Sequence, residues 1–228
     1  MLKKLKENFD EYNLKARVYP TIIGLLPIFL FVYFFLHDIG KVNAILSFLS
    51  GSALTIIILS FLSDVVRNLG KYLELKMFKN ELFFPTTEFL LHSNQNLSKE
   101  KRANIYDKVG KHGCVLCSAK EENRDETEAR RKIKEAVGMV RQKIGDGRLV
   151  LGFNIRYGFW RNLIGISLFS SSVSIFGLIF FYGNYIPFSI FIVLTLFYLG
   201  IFIFKKELLK FFGYQYTEQL FLEFLNIN

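Results

Sequence analysis

The chain has 228 residues, of which 51% are hydrophobic and 17% are aromatic, and it contains 26 phenylalanines. Its mean hydropathy is positive at +0.29, yet 29 Lys and Arg against 20 Asp and Glu give a net charge of +9. These values exclude an intrinsically disordered chain and, with only two cysteines, a disulfide scaffold, and they argue against a soluble enzyme. They indicate a small, basic protein that spans a membrane several times.

Three uncharged stretches locate the predicted membrane spans. The first covers residues 18–36 and the second covers residues 42–63. The third, at 162–204, is too long for one span, and the Gly- and Pro-containing segment 182–187 divides it into two stretches of about 20 residues, the length that a helix needs to cross a bilayer. The sequence therefore predicts four spans in two hairpins.

This pattern defines the predicted organisation of the whole chain. A cleaved signal peptide is the alternative for the first span, but the apolar run is long and no small-residue cleavage site follows Leu36, so a retained anchor is favoured. The predicted segments are a basic cytoplasmic tail at 1–17, hairpin 1 at 18–63, a cytoplasmic domain at 64–161, hairpin 2 at 162–204 and an amphipathic cytoplasmic tail at 205–228.

The distribution of Lys and Arg predicts the orientation. Segment 64–161 carries 20 of them, and the two terminal tails carry 5 and 3. The two loops that join paired spans carry only 1 and 0. Because basic residues concentrate on the cytoplasmic side, we expect both termini and the central segment to face the cytoplasm.

The predicted fold class is therefore an all-α membrane protein in which two transmembrane hairpins flank a mainly helical cytoplasmic domain. Within that domain, hydrophobic periodicity and capping residues predict the local structure. The predicted elements are a stem helix continuing the second span to about residue 79, a helix capped by Thr86 or Thr87 after Pro85, a helix capped by Ser98, a charged helix at 122–144, and a turn with a short strand at 145–153.

The small polar residues of the spans have two interpretations. Ser167, Ser171 and Ser174 fall on one face of the third span, and Ser47, Gly51 and Thr55 follow small-xxx-small spacing in the second. Small residues allow helices to approach closely, and hydroxyl groups bridge them. Packing within one chain is one interpretation, and an oligomer interface or a polar pore lining is the other. No Asp, Glu, Lys or Arg lies within the spans, which argues against an ion-coupled pump.

Two groups of residues outside the spans are candidates for contacts with lipid or a partner. Aromatic and basic side chains at the membrane re-entry predict an interfacial hinge, formed by Arg156, Tyr157, Trp160, Arg161 and Asn162. Basic side chains of the central segment form a candidate partner-binding patch, with Lys99, Lys101, Arg102, Lys108, Arg130, Arg131 and Lys134. This patch suits an anionic membrane surface or nucleic acid, and the positive-inside rule favours the membrane surface.

Neither metal binding nor catalysis has a complete motif. Cys114 and Cys117, with His112 nearby, supply at most part of a four-ligand zinc site, so zinc shared between chains, a redox pair and ordinary packed thiols remain alternatives. His92 and Glu88 are the only candidates for an enzyme that acts on lipid headgroups. No nucleotide-binding or hydrolase motif is present. We therefore predict a protein that is not an enzyme and needs no cofactor.

One stretch of the chain contains Pro85, Thr86, Thr87 and His92, and another contains Tyr157, Gly158, Phe159 and Asn162. These two stretches resemble a family of small bacterial inner-membrane proteins that carry a cytoplasmic domain between two transmembrane hairpins. The family patterns read PTTxxLRHxD and NxxYGFRRNLLGL. The departures here are Leu91 for the Arg before the His, Asn94 for the acidic residue and Trp160 for an Arg. The two stretches that carry the resemblance contain Pro85, Thr86, Thr87, Leu91, His92, Ser93 and Leu97 in the first, and Asn154, Tyr157, Gly158, Phe159, Arg161, Asn162, Leu163 and Gly165 in the second.

Some proteins of this kind resemble the transmembrane effectors of retron antiphage defence. The resemblance implies an effector of the bacterial inner membrane that a reverse transcriptase and its RNA–DNA product hold inactive. Infection would release it, and a homo-oligomer would then permeabilise the membrane. The alternative is a membrane-anchored scaffold or binding module, whose basic domain captures nucleic acid or a nucleotide signal.

Overall fold

The structure, a computed structural model, describes residues 11–38, 53–145 and 148–227. These residues form helices joined by turns, and no strand occurs among them, so the all-α class is confirmed. Among the described residues, three helices are long and apolar enough to cross a membrane: Glu11–His37, Leu149–Phe180 and Tyr185–Ile203. The first part of the second predicted span, with Ser47 and Gly51, lies outside the described residues.

The described helices are numbered in chain order. The first, α1, passes through a short α-helical turn, Glu11–Asn13, and a π-helical turn, Leu14–Val18, into Tyr19–Asp38. The others are α2 (Ala53–Met77), α3 (Pro85–Leu90), α4 (Lys99–Lys111), α5 (Ala119–Arg124), α6 (Glu126–Ile144), α7 (Arg148–Phe180), α8 (Tyr185–Ile203) and α9 (Lys205–Asn226).

The chain divides into two compact units. Unit 1 consists of Met1–Leu73 with Gly158–Leu208. Unit 2 consists of Glu74–Tyr157 with Leu209–Asn228.

Unit 1 is apolar on its outside as well as its inside. Phe191 and Tyr198 are fully buried, and a Cβ on Gly177 would lie only 2.6 Å from the Phe191 ring, so α7 and α8 pack closely there. Large apolar side chains also face outward, and Ile179 is 71% exposed and Leu196 68% exposed. Helices that are apolar all round are typical of membrane spans.

Unit 2 has an ordinary hydrophobic core. Helices α3, α4, α6 and α9 supply most of its residues, and the Phe89 and Phe221 rings stack with centroids 5.8 Å apart. The C-terminal tail is part of this core through Tyr216, Leu220, Phe221 and Phe224. Gly213 gives α9 a close approach to α3, because a Cβ there would lie 2.6 Å from Pro85 Cγ.

The predicted charged helix at 122–144 is confirmed over Glu126–Ile144, but its first residues belong to a separate short helix. α5 ends at Arg124 and α6 begins at Glu126. Asp125 separates them with an extended φ of −145°, and its carboxylate accepts a hydrogen bond of 3.0 Å from Glu128 N. The chain breaks here because Asp125 satisfies the free amides at the start of α6.

Two further local predictions, the strand at 145–153 and the threonine cap, are wrong, and two are confirmed. The predicted short strand at 145–153 is helical from Arg148 onward, and the Glu223 carboxylate accepts the Val150 amide of the first turn at 2.9 Å. Phe84, rather than a threonine, occupies the cap position of α3, and Thr86 and Thr87 are buried in its first turn. Ser98 caps α4 as predicted, and the break between the last two candidate spans falls within 181–184.

Candidate functional site

The predicted serine face of α7 lies inside unit 1. Ser167, Ser171 and Ser174 are at most 1% exposed. Each hydroxyl donates a hydrogen bond of 2.8 Å to a carbonyl of its own helix, at Ile164, Leu168 and Ser170. These three serines therefore contribute to helix packing in the described chain, and a pore-lining role stays a prediction.

A neighbouring serine, which the sequence analysis did not select as a pore-lining candidate, connects two helices. The Ser170 hydroxyl donates to Gly24 O on α1 at 2.6 Å and to Ile166 O on its own helix at 3.0 Å. The Tyr198 hydroxyl on α8 donates to Ile23 O on the same turn of α1. Both contacts reach backbone carbonyls, which carry no signal in the sequence.

The predicted interfacial segment divides between the two units. In unit 2, Arg156 is exposed with its guanidinium 5.3 Å from the Phe153 ring centre, and the Tyr157 hydroxyl donates to the Glu74 carboxylate. In unit 1, the Phe159 and Trp160 rings meet edge to face. Asn162, next to Arg161, is fully buried and donates through Nδ2 to Ala16 O at 2.6 Å.

The candidate basic patch is only partly available to a partner. Lys99, Lys101, Arg131 and Lys134 are exposed, and Lys134 forms an ion pair with Glu81 at 3.0 Å. Lys108 donates to the carbonyls of Leu225 and Ile227 at the end of α9. The remaining two residues, Arg102 and Arg130, are 6% and 8% exposed.

Both buried arginines contribute to the structure of unit 2. The Arg130 guanidinium bonds to Glu126 at 2.7 Å and to Leu82 O at 3.0 Å, and it stacks 4.1 Å from the centre of the Phe83 ring. Arg102 donates to the carbonyl of Asn94 and, at 3.4 Å, to those of His92 and Leu97. Neither side chain is placed to neutralise a phosphate group of a partner.

The loop at 91–98 is held by two buried charges. Arg102 bonds its carbonyls, and the Glu122 carboxylate accepts its amides, from His92 N at 2.8 Å and Ser93 N at 3.0 Å. Glu122 is 3% exposed, although it lies in a strongly charged part of the sequence. Burial, together with the negative charge of Glu122, raises the pKa of Tyr106, which donates to Leu90 O.

The two residues considered for catalysis have separate structural partners. His92 Nε2 lies 3.2 Å from Cys117 O, and its ring is 5.0 Å from the Tyr106 ring. Glu88 accepts the Tyr214 hydroxyl at 2.8 Å and lies 3.6 Å from Lys210 Nζ. Burial and the hydrogen bond to Glu88 raise the pKa of Tyr214 to about 12.

The two cysteines lie near each other in sequence and differ in exposure. Both thiols are free, with Cys117 buried and Cys114 partly buried. His112 is exposed and contacts the Phe224 ring at 6.0 Å. Within 11–38, 53–145 and 148–227, no three His, Cys, Asp or Glu side chains are grouped so as to hold a metal.

Unit 2 also has a groove of about 280 Å³ between α4 and α9. Apolar residues such as Phe89 and Ile105 line it, together with the polar groups Ser98, Lys101 and Glu218. The exposed Lys101 therefore borders a concave surface.

No protein-family model matches the chain, and no curated protein or solved structure is significantly similar to it.

Proposed function

We propose that the chain is a membrane-embedded, non-enzymatic effector of retron-type antiphage defence in the bacterial inner membrane. In this proposal it has four spans in two hairpins with both termini in the cytoplasm, and unit 2 is the cytoplasmic domain that a partner complex recognises. The observation that carries the proposal is the row of buried serine hydroxyls along α7, inside a unit whose outer surface is apolar. The family resemblance supplies the biological setting.

Because of how the serine face is hydrogen-bonded, a change in helix packing would cost little free energy. Ser167, Ser171 and Ser174 bond only carbonyls of α7 in the contacts described above, so these bonds persist if a neighbouring helix moves away. Ser170 must release Gly24 O, and a bond of this kind between membrane helices contributes about 0.6 kcal/mol. The described packing would then be the closed state, and exposed hydroxyls would line the open one.

The partner would act by binding only the closed state. A ligand shifts a two-state equilibrium by its differential affinity, so loss of the partner lets the open state dominate. We infer that a reverse transcriptase with its RNA–DNA product contacts unit 2 through Lys99, Lys101 and Arg131, which are exposed members of the patch and lie outside the core of unit 2. The apolar surface of unit 1 would supply the contacts of a homo-oligomer.

Induced expression in bacteria, with and without the partner complex, tests this function. We expect expression alone to depolarise the inner membrane, measured with a voltage-sensitive dye, and co-expression of the partner to prevent it. Replacing Ser167, Ser171 and Ser174 by alanine should reduce ion flux, since a pore without hydroxyls dewets. The matched control replaces Ser172 and Ser189, which are not buried and also bond their own helices. Full membrane potential with abundant membrane-inserted protein would exclude the pore.

A binding module is the second candidate, and the groove beside Lys101 favours it. In that case the full chain in detergent binds single-stranded nucleic acid with a strong salt dependence, because binding releases counterions. Lys99→Gln with Lys101→Gln should weaken this binding, whereas Lys143→Gln, an exposed lysine at the end of α6, should not. Binding without depolarisation of cells would favour the module over the pore.

A further inference from the structure

Three arginines lie at the same end of unit 1, at the boundaries of its apolar helical stretches. Arg17 precedes the uncharged run of α1, Arg67 follows that of α2, and Arg161 precedes that of α7. Arg67, Arg161 and Asp64 all lie close enough to Arg17 to act on it electrostatically. Three positive charges with one negative charge form a net positive cluster where apolar helices end.

Two packing contacts hold this cluster in place. Gly70 on α2 meets α7 so closely that a Cβ would lie 2.6 Å from Arg161 O, and a Cβ on Gly165 would lie 2.5 Å from Gly70 N. Arg67 and Arg161 are each within about one helical turn of this contact. On the other side, Asn162 Nδ2 donates to Ala16 O, which fixes the backbone next to Arg17.

The Arg17 guanidinium has hydrogen-bonding capacity to spare. Its Nε is buried and has no hydrogen-bond partner among the residues that the structure describes. The side chain lies over the Tyr12 ring at 5.5 Å and lines a small polar crevice with Ser60, Ser63 and Asp64. A buried N–H without an acceptor is costly, so a ligand oxygen here has a clear energetic role.

The same helices also border an apolar groove of about 480 Å³. Its lining comes from α1, α2 and α7 and includes Leu25, Ile58, Val66 and Ile166. Val66, which lines the groove, directly precedes Arg67 in the sequence. A phosphate near arginines and an apolar groove between the same helices are the two features that a phospholipid requires.

We propose that Arg17, Arg67 and Arg161 form a binding site for the phosphate group of an anionic phospholipid, with one acyl chain in the groove between α1, α2 and α7. Guanidinium groups bind phosphate oxygens by paired, charge-assisted hydrogen bonds. The net positive charge favours an anionic lipid over a zwitterionic one. This inference depends on unit 1 lying in a membrane but not on a pore or on any defence role.

Fluorescence of Trp160 gives a direct test, because it is the only tryptophan of the chain and adjoins Arg161. The full chain is reconstituted in phosphatidylcholine vesicles that contain a minor fraction of brominated phosphatidylglycerol or of brominated phosphatidylcholine. Bromine quenches tryptophan on contact. We expect brominated phosphatidylglycerol to quench more strongly at equal fraction. Equal quenching by the two lipids would overturn the proposal.

Substitutions locate the site. Each of Arg17→Gln, Arg67→Gln and Arg161→Gln should lower the preference for phosphatidylglycerol about fivefold, the effect of one basic residue at an anionic surface. Arg124→Gln removes the same charge from an exposed position in unit 2 and should leave the preference unchanged. Arg67→Lys should retain part of the preference and shows whether a Gln variant has merely misfolded. A preference unchanged in all three Gln variants would refute the site.

A further arm distinguishes lipid from soluble phosphate. Inorganic phosphate is added to protein in pure phosphatidylcholine vesicles and, separately, to vesicles with brominated phosphatidylglycerol. We expect no change of Trp160 fluorescence in the first case and no displacement in the second at equal ionic strength. Displacement by inorganic phosphate would assign the cluster to a soluble phosphate ligand and contradict the lipid assignment.

Discussion

The two units satisfy their buried polar groups in different ways. In unit 1 the buried polar side chains are mainly hydroxyls, and each serine of α7 bonds a backbone carbonyl within its own helix. In unit 2 the buried polar groups include the ions Arg102, Glu122 and Arg130. These three side chains form hydrogen bonds to backbone amides and carbonyls of loops, which would otherwise bond to water.

The contrast between buried hydroxyls in unit 1 and buried ions in unit 2 matches an apolar environment for the first unit and an aqueous one for the second. A hydroxyl on its own helix carbonyl needs no water and no neighbour, so it suits a helix in hydrocarbon. A buried ion requires hydrogen-bonding partners, and unit 2 provides two or three hydrogen bonds per group. Of the Arg102 guanidinium, only Nε has no partner among the described residues. The outer surfaces of the two units suit the same two environments. Unit 1 exposes large apolar side chains, and unit 2 exposes the charged faces of α4 and α6.

The largest effect is expected from the core of unit 2. Phe221→Ala on α9 removes a ring that is 1% exposed and stacked on Phe89. We expect the free energy of unfolding to fall by about 4 kcal/mol, as for other buried aromatic residues. Denaturant titration of the full chain in detergent measures it, and Phe211→Ala, where the ring is 58% exposed, is the control. Equal effects of the two changes would show that the tail is not part of this core.

The next effect concerns the buried carboxylate. Glu122→Ala leaves the His92 and Ser93 amides without their acceptor, at a cost of about 3 kcal/mol for the pair. Hydrogen exchange of these two amides should become faster in parallel. Glu135→Ala on the exposed face of α6 removes the same charge and should change neither quantity. A neutral result for Glu122→Ala would mean that water replaces the carboxylate.

The pattern of hydrophobic residues predicted much of this fold. It also contained evidence, which the sequence-based prediction did not use, that two arginines are buried. The uncharged runs predicted the three candidate spans that lie in the described residues. Arg102 precedes Ile105 and Val109 by three and seven residues, and Arg130 precedes Ile133 and Val137 by the same spacing. Both arginines thus extend a buried helical stripe, and this pattern argued against counting them in a solvent-exposed patch.

Other contacts had no signal that one sequence can carry. Glu122 accepts amides from a loop about 30 residues away, and Ser170 donates to a carbonyl 146 residues away. Backbone groups are the same at every position, so only the folded chain selects which one is contacted. The break at Asp125 was more accessible, because Asp followed three residues later by Glu128 is a helix-start pattern.

A smaller effect is expected from the packing of unit 1. Gly177→Ala places a methyl group 2.6 Å from the Phe191 ring carbons, and the overpacking should cost about 2 kcal/mol. Gly200→Ala on α8 meets no atom within 4 Å and should be neutral or stabilise the helix by up to about 1 kcal/mol. Thermal unfolding in detergent measures both. The opposite order would show that α7 and α8 are not packed as described.

The smallest stability effect and the most direct test of the closed packing come from Ser170→Ala. The variant loses the bond to Gly24 O, which is worth about 0.6 kcal/mol, whereas Ser172→Ala loses only a bond to its own helix. If the described packing is the closed state, 0.6 kcal/mol favours the open state about threefold. Cells that express Ser170→Ala should then depolarise at a lower level of protein than cells with Ser172→Ala. Since both variants lose one hydroxyl, identical depolarisation would mean that the α1–α7 contact does not control opening.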